Sequence, residues 1–189
     1  MLKSEIRALF KEKRKGLSFF EIDRISKNVS TLILEKFDFR SKNVCIFLPI
    51  EKQKEFDSYP LIDELIIQGS FPIVSKSNFE DSTLTLFRFE GSEQIEINAF
   101  GIPEPTIGIS VSETDLDVVF VPFLAIDKEG NRVGYGKGFY DKLLAKCRVD
   151  CVFIGISLFD EFVEITDINS FDVPLHCCFT PERYYEFRQ

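Results

Sequence analysis

Long apolar runs are missing from this 189-residue chain. The longest, Val118 to Ile126, is broken by Pro122 and falls far short of the ~18–20 residues that a bilayer span needs, so no membrane partner is expected. The first sixteen residues, MLKSEIRALFKEKRKG, scatter charge throughout and lack the apolar stretch of a secretory signal. A cytoplasmic protein is the expectation. Internal repeats, low-complexity tracts and linkers rich in Pro, Gly or Ser are absent as well, which leaves one domain over residues 1–189. Excess positive charge is lacking too: 23 Lys and Arg stand against 31 Asp and Glu, a net charge of -8, which disfavours nucleic acid as a partner.

Histidine occurs once, as His176 beside Cys177 and Cys178; Cys45, Cys147 and Cys151 complete an odd set of five thiols. An odd count without an export signal reads as reduced cysteine. Adjacent strand residues point to opposite faces, so Cys177 and Cys178 are poorly placed to chelate one metal together, and no zinc site is expected.

What is present is a chain 44% hydrophobic and 29% charged, enough to bury a core. Its charge is uneven. Residues 1–16 hold Lys3, Arg7, Lys11, Lys13, Arg14 and Lys15 against two acids, a local +4, so the remainder sums to -12. Such a segment suits a small polyanion, or is a solvated helix face. Leu2, Ile6, Leu9 and Phe10 recur at helical spacing, Gly16 breaks the pattern, and Ser18 with Glu21 forms a capping box that opens a second helix to about Phe37.

Val44–Leu48 reads as a buried parallel strand, followed by a loop carrying Glu51, Glu55 and Asp57. A helix from Pro60 to Gln68 and a strand from Phe71 to Val74 complete a βαβ unit. Leu84, Leu86 and Arg88 alternate with Thr85, Phe87 and Phe89 as an exposed edge strand, and Phe100–Pro105 reads as a rigid turn. Asp117–Phe123 and Cys151–Ile156 are further strands, and a helix is expected from Phe139 to Cys147. This order predicts a three-layer α/β/α sandwich with a mostly parallel sheet and two N-terminal helices.

Chemistry concentrates in Gly134-Tyr135-Gly136-Lys137-Gly138-Phe139-Tyr140-Asp141, which follows the strongest strand and opens a helix. Alternate glycines let backbone N–H groups approach an anion, and Lys137 adds a mobile positive charge. The spacing fits neither the dinucleotide nor the P-loop fingerprint, and glycines also serve tight turns. Asp127-Lys128-Glu129-Gly130-Asn131 is ordinary turn chemistry.

Together with Pro122-Phe123-Leu124-Ala125-Ile126-Asp127 and Gly130 to Val133, this stretch resembles the signature of the 5-formyltetrahydrofolate cyclo-ligases. Four further elements match in order: Lys3 with Arg7, Glu55-Phe56-Asp57-Ser58, Gly101 to Pro105, and Asp172-Val173-Pro174-Leu175. Phe123, Ile126, Phe139, Ser58 and His176 depart from the family pattern, and only His176, in place of an acidic residue, bears on a metal site.

The resemblance implies an ATP-dependent ring closure of 5-formyltetrahydrofolate to 5,10-methenyltetrahydrofolate, with ATP and Mg²⁺ as cofactors. It assigns Lys137 and Tyr140 to catalysis. It assigns Lys3, Arg7, Arg132, Gly134, Tyr135, Gly136, Lys137, Gly138, Phe139 and Tyr140 to the nucleotide, and Glu55 with residues 135–139 to the folate. Asp141 and Asp172 are the implied Mg²⁺ carboxylates, hard oxygen ligands of the kind Mg²⁺ takes. A monomer acting on small molecules is the expected state. Simpler roles stay open at this point: Asp141 as a helix-terminus acid, Glu55 as an exposed loop acid, Tyr140 as packing under the loop. A non-catalytic nucleotide- or folate-binding module and an ATP-dependent enzyme for another small anion also remain.

Overall fold

In the computed structural model, which describes residues 1–187, two helices lead the chain, α1 (Lys3–Gly16) and α2 (Phe19–Lys36). Their junction forms by the capping box: Ser18 Oγ accepts the Glu21 N–H at 3.2 Å, and the Glu21 carboxylate accepts the Ser18 N–H at 2.7 Å. The buried stripe of α1 is Ile6, Phe10 and Arg14, while Leu2 and Leu9 are exposed. Centred on Phe10, the buried arc leaves Leu9 about 100° away, which corrects the expected stripe and turns one arginine inward.

The chain continues through β1 (Asn43–Cys45), α3 (Tyr59–Ile67), β2 (Phe71–Asn78), β3 (Thr83–Arg88), β4 (Ile95–Ile97), β5 (Pro103–Pro105) and β6 (Ser110–Val111). It ends through β7 (Val118–Val121), β8 (Ala125–Ile126), β9 (Arg132–Val133), α4 (Phe139–Leu144), β10 (Val152–Ile156), β11 (Cys177–Phe179) and β12 (Tyr184–Glu186). Eight strands form one sheet in the order β12-β11-β10-β7-β1-β2-β3-β6. The five from β11 to β2 run parallel, and β12, β3 and β6 add antiparallel margins.

Local differences from the sequence reading have simple causes. The rigid turn at 100–105 is in part a strand: Pro103 and Pro105 flank Glu104 in a two-stranded ladder with β4, at positions where a missing N–H costs no ladder bond. Strand β7 stops at Val121 because Pro122 cannot extend it. Strand β3 is not the outer edge, since β6 pairs beyond it. Helix α4 ends at Leu144, not Cys147, and so has only six residues.

Both sheet faces are covered. Helices α2 and α3 lay Val29, Ile33, Leu61 and Leu65 over Val44, Ile46, Phe120 and Ile154. On the other face Leu143, Leu144, Leu175 and Phe187 cover Cys45, Val119, Val121 and Cys178. Cys177 and Cys178 therefore join opposite cores, as strand alternation requires. Gly155 is forced by the second face, for a Cβ there would lie 2.6 Å from Leu175 and Phe123. Helix α1 stands aside, packing Ile6 and Phe10 against Leu124, Ala125 and Val133 of the β8–β9 hairpin. Among the described residues no helix is long and apolar enough to cross a membrane.

Candidate active site

The C-terminal ends of β1 and β7 open toward α1, the β8–β9 hairpin and the loop before α4, and between them lies a cavity of about 730 Å³. That is the customary place for a ligand in an open α/β sheet, and the volume suits a small-molecule site. Lys3, Arg7, Glu55, Arg132, residues 134–141 and Asp172 all line it, so residues far apart in sequence meet here.

The glycine loop is held by α1. Arg7 Nε donates to the Gly134 carbonyl at 2.9 Å, and its guanidinium lies against Gly136, where a Cβ would come within 3.2 Å. Gly136 also has φ +89°, so it is required twice over. Among the described residues, the N–H groups of Gly136, Lys137 and Gly138 have no protein acceptor, and the exposed Lys137 ammonium has no carboxylate partner. A row of free donors beside a free cation is chemistry that can hold an anion. Because α4 is so short, the attraction comes from the loop and its cations rather than from a helix end.

Lys3 and Arg7 line the cavity, while the rest of the basic segment is dispersed. Lys3 Nζ pairs with Asp172, Lys13 with Glu161, and Lys15 with Glu12 at 2.6 Å. Arg132 is buried and donates to the Val173 carbonyl and, at 2.8 Å, to Asp141 Oδ1. Burial pulls its pKa down, and the Asp141 charge opposes that. Two of its nitrogens are thus spent on the protein.

Asp141 Oδ1 also accepts the Val173 N–H at 3.2 Å, and Asp172 Oδ2 accepts the Asn169 N–H at 2.7 Å as well as Lys3. Each carboxylate uses one oxygen for these bonds. Asp141 and Asp172 both line the cavity, and the second oxygen of each is a hard ligand of the kind Mg²⁺ takes one or two of from protein. His176 stays outside this set: its Nδ1 accepts the Phe153 N–H at 2.8 Å, and it does not line the cavity.

Glu55 is not an exposed loop acid; it is 6% exposed. Lys54, in left-handed conformation, donates to the Lys15 carbonyl at 2.8 Å and to that of Leu17, which ties this loop to the end of α1. Glu55 Oε2 accepts the Ile50 N–H at 2.8 Å, and Oε1 accepts the Tyr135 hydroxyl. Burial raises its pKa, and Arg14, then Tyr135 and Ile50, draw it back down. Tyr140 lines the cavity and packs on the second core, its hydroxyl paired with Ser75. Burial pushes that phenol well above its ordinary pKa. Phe139 meets Phe79 edge-on, ring centres 5.5 Å apart, and Phe79 lies 4.6 Å from Phe100.

Phe79 and Arg14 escape the sequence reading. Phe79 sits at the end of an exposed hairpin with no signal around it. Arg14 carried one: it follows Ile6 and Phe10 at four-residue steps.

A family model described as the 5-formyltetrahydrofolate cyclo-ligase family matches residues 1–181. A 5-formyltetrahydrofolate cyclo-ligase of Mus musculus is 30% identical over 77% of this chain and 74% of its own, and a probable one of Schizosaccharomyces pombe is 28% identical over 96% of each. The solved structure of an Aquifex aeolicus 5,10-methenyltetrahydrofolate synthetase superposes with a TM-score of 0.82 at 31% identity, covering all of this chain and 94% of that one. The chain belongs to the 5-formyltetrahydrofolate cyclo-ligase family of enzymes.

Proposed function

We propose that the chain uses ATP to close 5-formyltetrahydrofolate into 5,10-methenyltetrahydrofolate, releasing ADP and phosphate. The formyl oxygen on N5 takes the γ-phosphoryl group, N10 attacks the activated carbon and gives up its proton, and phosphate leaves. The observation that carries this reading is the meeting, in one cavity, of free loop N–H donors and an unpaired Lys137 with the buried carboxylate Glu55.

Phosphoryl transfer asks a protein chiefly to hold donor and acceptor in line and to neutralise charge. The loop N–H groups and Arg7 hold the phosphates, and Lys137 meets the charge that develops during transfer. Lys3 supplies a third cation; when it turns to a phosphate, Asp172 Oδ2 keeps only the Asn169 N–H. Asp141 and Asp172 would hold Mg²⁺, which when bound neutralises phosphate charge. Glu55 accepts N–H groups of the pterin, and Phe79 and Phe139 give its flat ring an apolar wall. Four of the five free thiols are buried, which suits a reducing compartment such as the cytoplasm.

Mixing the protein with 5-formyltetrahydrofolate, ATP and Mg²⁺ should produce the methenylfolate chromophore with one ADP per turnover. No ATP-dependent chromophore would overturn the reading. Glu55→Gln should raise KM for the folate about 10- to 100-fold, the scale of one charge-assisted hydrogen bond, and leave KM for ATP unchanged. Equal loss toward both ligands would make Glu55 structural.

A further inference from the structure

Arg14 occupies a core position. It is the third residue of the buried stripe of α1, 5% exposed, and does not line the cavity. Its guanidinium reaches through the wall: Nη1 donates to the Tyr135 hydroxyl at 2.8 Å and lies 3.9 Å from Glu55 Oε1, while Nη2 donates to the Phe123 carbonyl. Tyr135 in turn donates its hydroxyl hydrogen bond to Glu55 Oε1. The buried Nε has no partner at all.

This is a poor way to build stability. A buried ion pair roughly breaks even against a hydrophobic replacement of similar size, and an orphaned N–H adds a desolvation cost. Ile6 and Phe10 show that the same helix face can be filled with hydrocarbon. The arginine is explained by what it faces. We propose that Arg14 is a positioning residue that touches no ligand and keeps Glu55 an ionised carboxylate aimed at the folate, directly through its charge and indirectly by fixing the Tyr135 hydroxyl as a donor.

The hydrogen bonds specify that state. Oε1 and Oε2 both act as acceptors, from Tyr135 and from the Ile50 N–H, and hydrogen bonds donated to the carboxylate favour its ionised form. The groups that face Glu55 are Arg14 from α1, Tyr135 from the glycine loop and, farther off, Tyr140 from α4; Lys54, its sequence neighbour, turns away to the α1 carbonyls. Arg14 is the one cation among them, and opposing it is the burial that drives the carboxyl toward protonation. The sign follows: removing Arg14 raises the pKa of Glu55, and a protonated Glu55 has lost an acceptor for the pterin. The part concerning the pterin rests on the proposed function; the part concerning ionisation does not.

The two parts can be read separately. In ligand-free protein carrying ¹³C-labelled glutamate, the Glu55 carboxyl resonance, identified by its loss in Glu55→Gln, is followed from pH 4 to 8 in the unaltered chain, Arg14→Met, Arg14→Lys and Tyr135→Phe. The midpoint should rise by about one pH unit or more in Arg14→Met, since an opposite charge at this range shifts a carboxyl by that much. Smaller rises are expected in Arg14→Lys and Tyr135→Phe. Arg14→Lys, which keeps the charge, and Tyr135→Phe carry the same test should Arg14→Met fold poorly. A midpoint that does not move in any of the variants overturns the proposal.

Binding of 5-formyltetrahydrofolate without nucleotide, measured over the same range, should lose affinity on the acid side at the Glu55 midpoint of each variant. An affinity reduced equally at every pH would make Arg14 a packing residue and overturn its role toward the folate. Absence of folate binding by the unaltered chain, with the resonance shifts intact, would instead condemn the functional reading and leave the Arg14–Glu55 coupling standing.

Discussion

Under α2 and α3 the sheet is covered by Val29, Ile33, Leu61 and Leu65, all fully buried hydrocarbon, whereas beyond the ends of β1 and β7 Arg14, Glu55 and Arg132 are nearly as buried and carry charge. The first region gains its stability from apolar area and close packing, at roughly 25 cal/mol per Å² removed from water. The second gains little from its ions, because desolvation cancels most of their mutual attraction. What differs is what each region must tolerate: one excludes every guest, and the other stays chemically incomplete until a guest arrives. Free loop N–H groups, a lone lysine ammonium and half-used carboxylates are the marks of the second kind.

Substitutions that separate activity from stability put this contrast to the test. The largest effect is expected for Lys137→Ala, which should lower kcat by ~10²–10³-fold, the scale of a preorganised group acting on transition-state charge, with no change in Tm. A kcat within a factor of two of the original would break the contrast on the cavity side. Leu65→Ala does the opposite, costing about 3 kcal/mol and roughly 6–12 °C in Tm while leaving kcat per folded molecule unchanged. Calorimetry beside single-turnover rates decides it, and a loss of rate without loss of Tm would show that the helical face takes part in catalysis.

Asp141→Asn is the smallest and the sharpest, because Asp141 bears on both stability and the proposed metal. Its Oδ1 restrains the buried Arg132, so the amide should cost about 1–2 kcal/mol in stability, reduced by the acceptor that Asn retains. It should also raise the Mg²⁺ concentration needed for half-maximal rate. A lower Tm with an unaltered Mg²⁺ requirement would assign Asp141 to Arg132 alone.

Features set by near neighbours in sequence were legible. The Ser18–Glu21 box fixes the start of α2, the apolar run at Val118–Val121 fixes the central strand, and the glycines around Lys137 mark from residue type alone the loop that lines the cavity. Features made by distant contacts were not. Glu55 is buried because Lys54 holds α1, 37 residues away, and because Tyr135 arrives from 80 residues on. Arg14 reads as one charge among six until its spacing from Phe10 is weighed above its charge. Helix α4 reads three residues too long because Ala145–Cys147 carry no breaker; the chain tightens there into three-residue turns, Lys146 N–H to the Leu143 carbonyl at 3.0 Å and Cys147 N–H to that of Leu144 at 3.2 Å.

The docking of α1 sets a schedule for how the molecule is made. Lys3 meets Asp172 across 169 positions, Arg14 meets Tyr135 across 121, and Arg7 meets Gly134 across 127. At roughly 5–20 residues added per second during synthesis, the first helix waits on the order of ten to thirty seconds after leaving the ribosome for its partners to emerge. Through that interval Ile6 and Phe10 have nothing to pack against, and the lysines and arginines around them are what keep the nascent helix in water. The wall that α1 gives the cavity therefore closes only after its partners at residues 134, 135 and 172 have been made.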